Sequence, residues 1–80
     1  MNPQHTLMFS VDCYDIEYIH IYRKWRTTNT YQYLATFFID ELLKVFPPHI
    51  HERIFSDENR PAVYVLSETF EPCNKDGKRL

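Results

Sequence analysis

Two consecutive prolines, Pro47 and Pro48, are the feature that most limits what this chain can fold into. They follow an apolar stretch, and a proline inside a helix removes a backbone donor and clashes with the preceding turn. Apolar side chains in that stretch recur every three or four residues, the period of one helix face. They are Tyr31, Leu34, Ala35, Phe38, Leu42 and Val45. The pattern predicts one helix over residues 31–46 that ends at the prolines, with Phe38 and Leu42 at its buried centre.

Other segments have the composition of strands. Residues 7–11 (LMFSV) and 16–22 (IEYIHIY) are rich in β-branched and aromatic side chains, and the short segment between them allows an antiparallel hairpin. Residues 50–55, within HIHERIFS, are predicted to form a further strand beside the first one. Residues 62–66 (AVYVL) fit either a strand or the start of a second helix. The resulting order β-β-α-β predicts an α/β fold, a small mixed sheet with one long helix on one face.

Length and charge bound the remaining choices. Eighty residues allow a single small domain, 1–80, of which the polar segment 71–80 is predicted to be a loose tail. A net charge of −2 argues against a chain that holds nucleic acid by bulk charge. Two distant cysteines, Cys13 and Cys73, indicate free thiols in a reducing, cytoplasmic setting. Residues 34–46 are interrupted by charges and fall short of the ~20 apolar residues of a membrane span.

The stretch FFIDELLKVFPPHIHERIFSD resembles a motif of bacterial insertion-sequence transposases with a retroviral-integrase-type (DDE) core. In that family a helix ends in Phe-Pro, and the strand that follows ends in Thr-Asp. Phe46 and Pro47 match the first pair, Ile50 and Ile54 match the strand, and Ser56 with Asp57 matches its end. The segments LMFSVD and YIHIY are similar to the two strands that precede this helix. Near the end of the chain, TFEPCNKDGKRL looks like the Phe, Cys and Gly of a later helix.

The resemblance implies an RNase H-like core that acts on DNA. The family uses two aspartates and one glutamate to hold two divalent metal ions, which promote displacement at a phosphodiester. Asp57 is implied as a catalytic and metal-binding residue, with Mg²⁺ or Mn²⁺ as the ion. The first aspartate and the glutamate have no equivalent here, and Asp12 matches a position that binds no metal. The expectation is therefore a remnant of a transposase catalytic core, from a lineage that carries out DNA integration and recombination. As an isolated chain it is expected to be inactive.

A second interpretation comes from another functional class. The chain would be a small standalone α/β interaction or regulatory protein of phage or plasmid origin, which binds a protein partner or itself through an aromatic surface. Six aromatic side chains are candidates for that surface, for the core and rim of a sheet, or for stacking on bases. They are Tyr14, Tyr18, Tyr22, Trp25, Tyr31 and Tyr33. An independent enzyme is the third and weakest interpretation, because the sequence presents no complete set of catalytic groups.

Three smaller patterns allow a structural interpretation as well as a functional one. Asp57, without the resemblance, is a loop or helix-capping acid. His49 and His51 would share one face of a strand and begin a metal site, but no third ligand is suitably spaced, so a surface pair is favoured. Cys13 and His20 suggest a thiol nucleophile, whereas a buried thiol beside a strand histidine is the plainer interpretation.

Overall fold

The computed structural model describes residues 5–12, 14, 17–26, 28–56 and 62–80. The order of elements is β1 (His5–Val11), β2 (Tyr18–Trp25), β3 (Tyr31–Phe38), α1 (Ile39–Val45), α2 (Pro48–Ser56), β4 (Ala62–Leu66) and β5 (Pro72–Cys73). The strands form one sheet in the order β3-β2-β1-β4-β5. Its four strand pairs are all antiparallel, so the predicted mixed sheet is wrong while the α/β class is confirmed.

The hairpin predicted at the start of the chain is confirmed. β1 and β2 pair antiparallel, with Phe9 opposite Ile21 and Val11 opposite Ile19. The Asp12 amide donates to the Tyr18 carbonyl at 3.0 Å and closes the connection. β2 runs three residues beyond the predicted end at Tyr22, because β1 begins early enough to pair with it as far as Trp25.

The single long helix over residues 31–46 is wrong. Its first half is β3, which lies antiparallel to β2, and only seven residues, Ile39–Val45, form α1. Tyr, Thr and Phe suit a pleated strand, and pairing with β2 outweighs a helical period in the sequence. Phe38 consequently lies on an edge strand and is 46% exposed, whereas Leu42 is 1% exposed, so the predicted burial holds for Leu42 alone.

The strand predicted over residues 50–55 is also wrong, because this segment is the helix α2. Pro48 opens α2, a position where the missing amide hydrogen of proline costs nothing. Ile50 and Ile54 are four residues apart, so they share one face of the helix, and both are buried. The strand beside β1 is instead β4, which settles residues 62–66 as a strand. The double proline thus ends one helix, as predicted, and begins the next.

Both helices pack on the same side of the sheet and enclose the core. The core side chains come from the strands and helices alike: Phe9, Ile19, Ile21, Leu42, Ile50, Ile54, Val63 and Val65. Phe46, between the two helices, makes edge-to-face contacts with Phe9, Phe37 and Phe70 at centroid distances of 5.1, 6.0 and 5.5 Å. The Phe-Pro pair on which the resemblance partly rests therefore has a packing role in this fold.

Residues 71–80, predicted to be a loose tail, contain the short strand β5 and a turn. The mobility of this segment stays a prediction. β5 pairs with β4, and the Asn74 side-chain oxygen accepts from the amides of Asp76 and Lys78 at 2.9 and 3.0 Å. Gly77 has φ +82°, a backbone conformation that other residues rarely adopt, so the turn favours glycine. The helix that the resemblance suggested for this segment is absent. In the described part of the chain, no helix is long and apolar enough to cross a membrane.

Candidate binding surface

The sheet face opposite the helices, called here the tyrosine face, carries five tyrosines. They are Tyr18, Tyr22, Tyr31, Tyr33 and Tyr64. Side chains alternate between the faces of a strand, so these positions lie opposite the apolar ones that point to the helices. The cross-strand register brings Met8 next to both Tyr22 and Tyr64, and Tyr22 next to Tyr33. The alternation of side chains along the strands thereby places an aromatic surface on the side of the sheet opposite α1 and α2.

A shallow groove of about 450 Å³ crosses this face. Its lining side chains are all uncharged: Met8, Ser10, Tyr22, Tyr31, Ala62 and Tyr64. Burial raises the pKa of Tyr64 to about 12, and a hydrogen bond with Tyr31 contributes in the same direction. Tyr64 therefore stays a neutral phenol at physiological pH, and the groove presents ring surface and hydroxyl groups without charge.

Beside the groove, four polar side chains form one continuous hydrogen-bonded chain. His20 Nε2 lies 2.7 Å from Asp12 Oδ2, and His20 Nδ1 lies 2.8 Å from Thr36 Oγ1. The Tyr33 hydroxyl lies 2.6 Å from the same Thr36 oxygen. A carboxylate only accepts, so His20 Nε2 donates to Asp12 Oδ2, and the Thr36 hydroxyl bridges His20 Nδ1 and the Tyr33 hydroxyl. The chain orients the His20 ring and the Tyr33 hydroxyl.

The order carboxylate, imidazole, hydroxyl is the order that activates a nucleophile in hydrolases. Here Thr36 is exposed and lies on an edge strand, so its hydroxyl interacts with water. Catalysis of that kind depends on a water-excluded site with donors aimed at the developing charge. We therefore assign the chain from Asp12 to Tyr33 a structural role, in which it orders one end of the tyrosine face.

Lys24 lies at the other end of this face and is 1% exposed. Its Nζ donates to the carbonyls of Trp25 and Thr28, both at 3.1 Å. Buried ammonium groups persist where their hydrogens find acceptors, as they do here. The charge of Lys24 is therefore enclosed by its own loop and withdrawn from the surface.

Asp57, the residue implied as catalytic and metal-binding, lies outside the described residues, as does Cys13. Among the described residues, no group of three or more His, Cys, Asp or Glu side chains gathers where it would hold a metal ion. The Mg²⁺ or Mn²⁺ implied by the resemblance stays a prediction, and no chemical step is assigned to it. Asp12, the other strand-end aspartate, bonds to His20 on the tyrosine face.

The two histidines expected to share a strand face are on α2 and point in different directions, since residues two apart on a helix do not face each other. His49 Nε2 donates to the Phe70 carbonyl at 2.7 Å and links α2 to the segment before β5. The His51 ring lies 4.8 Å from the Phe55 ring, one turn further along. The expectation that they share a strand face is therefore wrong, because both lie on α2.

Sequence reasoning missed the bonds between Asp12, His20 and Thr36. One signal was present, because Tyr18, His20 and Tyr22 alternate with isoleucines, the period of a strand with one polar face. The sequence predicts a helix over residues 31–46, which keeps Thr36 off the sheet that carries His20.

Comparisons of the chain with known protein families, with curated proteins and with solved structures found no match.

Proposed function

We propose that this chain is a protein-interaction module whose tyrosine face binds an uncharged, proline-rich segment of a partner protein. The observation that carries the proposal is the uncharged, tyrosine-lined groove on the helix-free face of the sheet. Tyrosine is enriched at protein interfaces because it offers a rigid ring and a hydroxyl together. This function belongs to the second interpretation of the sequence, a small interaction protein.

The charge of the surface favours a protein segment over nucleic acid. Binding of a phosphate backbone requires clustered Lys and Arg side chains. The groove has none, and Lys24, the nearest cation on the same face, is enclosed by the carbonyls of Trp25 and Thr28. Stacking of bases on the tyrosines would therefore lack the electrostatic attraction that accompanies it in single-strand binding proteins.

The position of the groove favours a polyproline II segment over an added strand. In the middle of a sheet the backbone groups are engaged with neighbouring strands, so the face offers side chains only. A polyproline II helix has no internal hydrogen bonds, and its carbonyls accept from side-chain donors while its rings pack in aromatic-lined grooves. Tyr31 and Ser10 supply hydroxyl donors, and Tyr22, Tyr64 and Met8 supply ring and apolar surface.

A titration followed by nuclear magnetic resonance tests the proposal. A neutral polyproline peptide is added to the labelled full chain, and a glycine-serine peptide of equal length serves as the peptide control. We expect saturable shifts at Met8, Tyr22 and Tyr64 with the first peptide alone. Ala62→Arg should abolish them, because it fills the groove with a charged side chain.

The matched control variant is Tyr14→Ala, which removes a tyrosine that is 96% exposed and does not line the groove. It should bind the peptide as the unaltered chain does. Absence of saturable shifts in a chain that is folded, or shifts that Ala62→Arg leaves intact, would contradict the proposal. Binding of single-stranded DNA at the same residues, without peptide binding, would also overturn it in favour of nucleic acid.

Descent from an integrase-type, RNase H-like core remains a separate prediction about ancestry. Its support is the sequence resemblance around Phe46, Pro47 and Asp57, although the segment before Asp57 forms α2 where the family has a strand. We expect the purified chain neither to nick nor to join DNA in Mn²⁺. Metal-dependent cleavage that disappears in Asp57→Ala would contradict this expectation and restore a DNA-processing function.

A further inference from the structure

The strand β3 forms one edge of the sheet, and its eight residues pair with β2 alone among the described strands. Its sequence, YQYLATFF, contains no charged residue, no proline and no glycine. Natural sheets usually protect an edge with short strands, charged side chains or proline, since a bare edge pairs readily with another strand. A bulge opposite Ile21 and Tyr22 is the one protective feature of β3.

The opposite edge is protected in several of these ways. β5 has only two residues, one of which is Pro72. Its outer side is bridged by Arg79, which also forms an ion pair with Glu71 at 3.0 Å. The following turn carries Lys75, Asp76 and Lys78. The two edges of the sheet therefore differ, and in the described part of the chain the β3 edge has neither the short length, the proline nor the charges that protect the β5 edge.

Exposed apolar side chains gather around the open edge. In the described part of the chain, nine large apolar side chains are exposed, of which four lie on β3 and two on α1, the helix that follows it. These six are Tyr31, Tyr33, Leu34, Phe38, Leu43 and Val45. A concentration of exposed apolar surface at one place marks an interaction site more often than scattered residues do.

We infer that the β3 edge pairs antiparallel with β3 of a second copy of this chain, across a twofold axis between Leu34 and Ala35. The bulge places Tyr31, Tyr33, Thr36 and Phe38 on the tyrosine face, opposite Lys24, Tyr22, His20 and Tyr18. Around that axis Tyr31 meets Phe38 of the second copy, and Tyr33 meets Thr36. Both pairs join residues of the tyrosine face, so this side of the strand is complementary to itself, as a twofold interface requires.

The charges are compatible with a second copy. β3 has none, so no like charges meet along the paired strands. α1 contacts β3 and carries Asp40 and Glu41 in its first turn and Lys44 in its last. α1 therefore carries charges of both signs, so two copies do not meet as surfaces of a single sign of charge. This assembly goes beyond the proposed peptide binding, because it uses the backbone edge of the sheet and shares only Tyr31 with the residues that line the groove.

Sedimentation velocity over a concentration series tests the inference on the full chain. We expect a species of twice the 9.7 kDa chain mass at high concentration. Leu34→Lys should weaken self-association by roughly tenfold or more, because it sets like charges beside the axis. Leu80→Lys is the matched control, since Leu80 is exposed but lies beyond β5. It should leave the dimer intact.

A mixture of two variants makes the test independent of folding. Leu34→Lys and Leu34→Glu should each be monomeric, and together they should form a mixed dimer, because the axis brings the two altered positions close to each other. A monomer at every concentration would overturn the inference, as would a dimer that Leu34→Lys leaves intact. Failure of the two variants to associate would likewise reject this axis. A monomer that adds a strand from another protein would assign the edge to a different partner.

Discussion

The two faces of the sheet are built from the same strands but are stabilised differently. The face under α1 and α2 is closed by branched aliphatic side chains such as Ile19, Ile21 and Val65. The tyrosine face presents rings and hydroxyls, many of them in contact with water. Burial of apolar area stabilises the fold in proportion to the area removed, whereas a hydrogen bond that water can replace contributes little net free energy. Stability should therefore depend on the covered face, and recognition on the tyrosine face.

Two adjacent leucines of α1 give the largest expected contrast. Leu42 is 1% exposed and Leu43 is 44% exposed. Leu42→Ala should lower the free energy of unfolding by about 2–5 kcal/mol, because it leaves a cavity in the core. Leu43→Ala should change it by less than about 0.5 kcal/mol. Chemical denaturation of both variants checks this, and equal effects would mean that the covered face is misassigned.

A smaller effect is expected at the buried end of the tyrosine face. Lys24→Met keeps most of the side-chain stem and removes an ammonium that bonds two carbonyls. We expect a loss of about 1.5–3 kcal/mol, the range for hydrogen bonds to charged groups. Denaturation with urea measures it, with Lys44→Met on exposed α1 as the control. An unchanged stability would show that desolvation of the ammonium cancels its two bonds.

The raised pKa of Tyr64 predicts that the stability of the fold depends on pH in the alkaline range. Its pKa is raised from 10.0 to about 12 in the fold, so the folded state favours the neutral form. The associated stability is fully present below pH 10 and is lost as the pH rises through 12. Tyr64→Phe lacks this component and should cost about 0.5–1.5 kcal/mol at neutral pH through the lost bond to Tyr31.

The measurement for Tyr64 is the difference in unfolding free energy between the two proteins, followed from neutral to alkaline pH. Phenols and lysines that do not contact Tyr64 titrate alike in both proteins and cancel in the difference, which leaves Tyr64 and its partner Tyr31. We expect the difference to shrink as the pH rises. A difference that is constant with pH would show that Tyr64 is no more protected from water than an ordinary surface tyrosine.

The smallest effect on stability is expected at Thr36. Thr36→Val preserves the branched shape and removes the hydroxyl between His20 and Tyr33. Since Thr36 is exposed, water can replace the lost bonds, and the change should be within about 0.5 kcal/mol. The nitrogen resonances of the His20 ring should nevertheless move, because Nδ1 loses its hydrogen-bond partner. Unaltered resonances would mean that the chain of bonds is not formed in solution.

Parts of the fold could be predicted from sequence because they depend on neighbouring residues. The β1–β2 hairpin needs two strand-forming segments with a short connection, and the double proline marks a helix boundary whatever surrounds it. The α/β class followed from the same local signals. The prediction that Leu42 is buried is confirmed. Leu42 lies on a helix whether the residues before it form a strand or a helix, and its side chain is apolar.

Residues 31–38 and 48–56 could not be assigned in this way. YQYLATFF has apolar side chains that suit a helix period or a strand, and HIHERIFS has isoleucines four apart that fit a helix despite their preference for strands. The first segment becomes β3 because β2 offers it a partner, and the second becomes α2 because its two isoleucines meet the core. β2 is the element immediately before β3, but the apolar period of residues 31–46 also fits a helix, so the sequence does not decide for that pairing. The core that holds the isoleucines of α2 comes from distant parts of the chain.

The sequence by itself determined the hairpin, the break at Pro47 and Pro48, and the supply of tyrosines. The tertiary structure decided which face those tyrosines occupy, that Asp12, His20 and Thr36 meet, and that Lys24 is enclosed. It also left the β3 edge open and the β5 edge closed. The physical reason is range: turns and breaks are set by a few adjacent residues, whereas strand pairing and burial depend on residues distant in the chain.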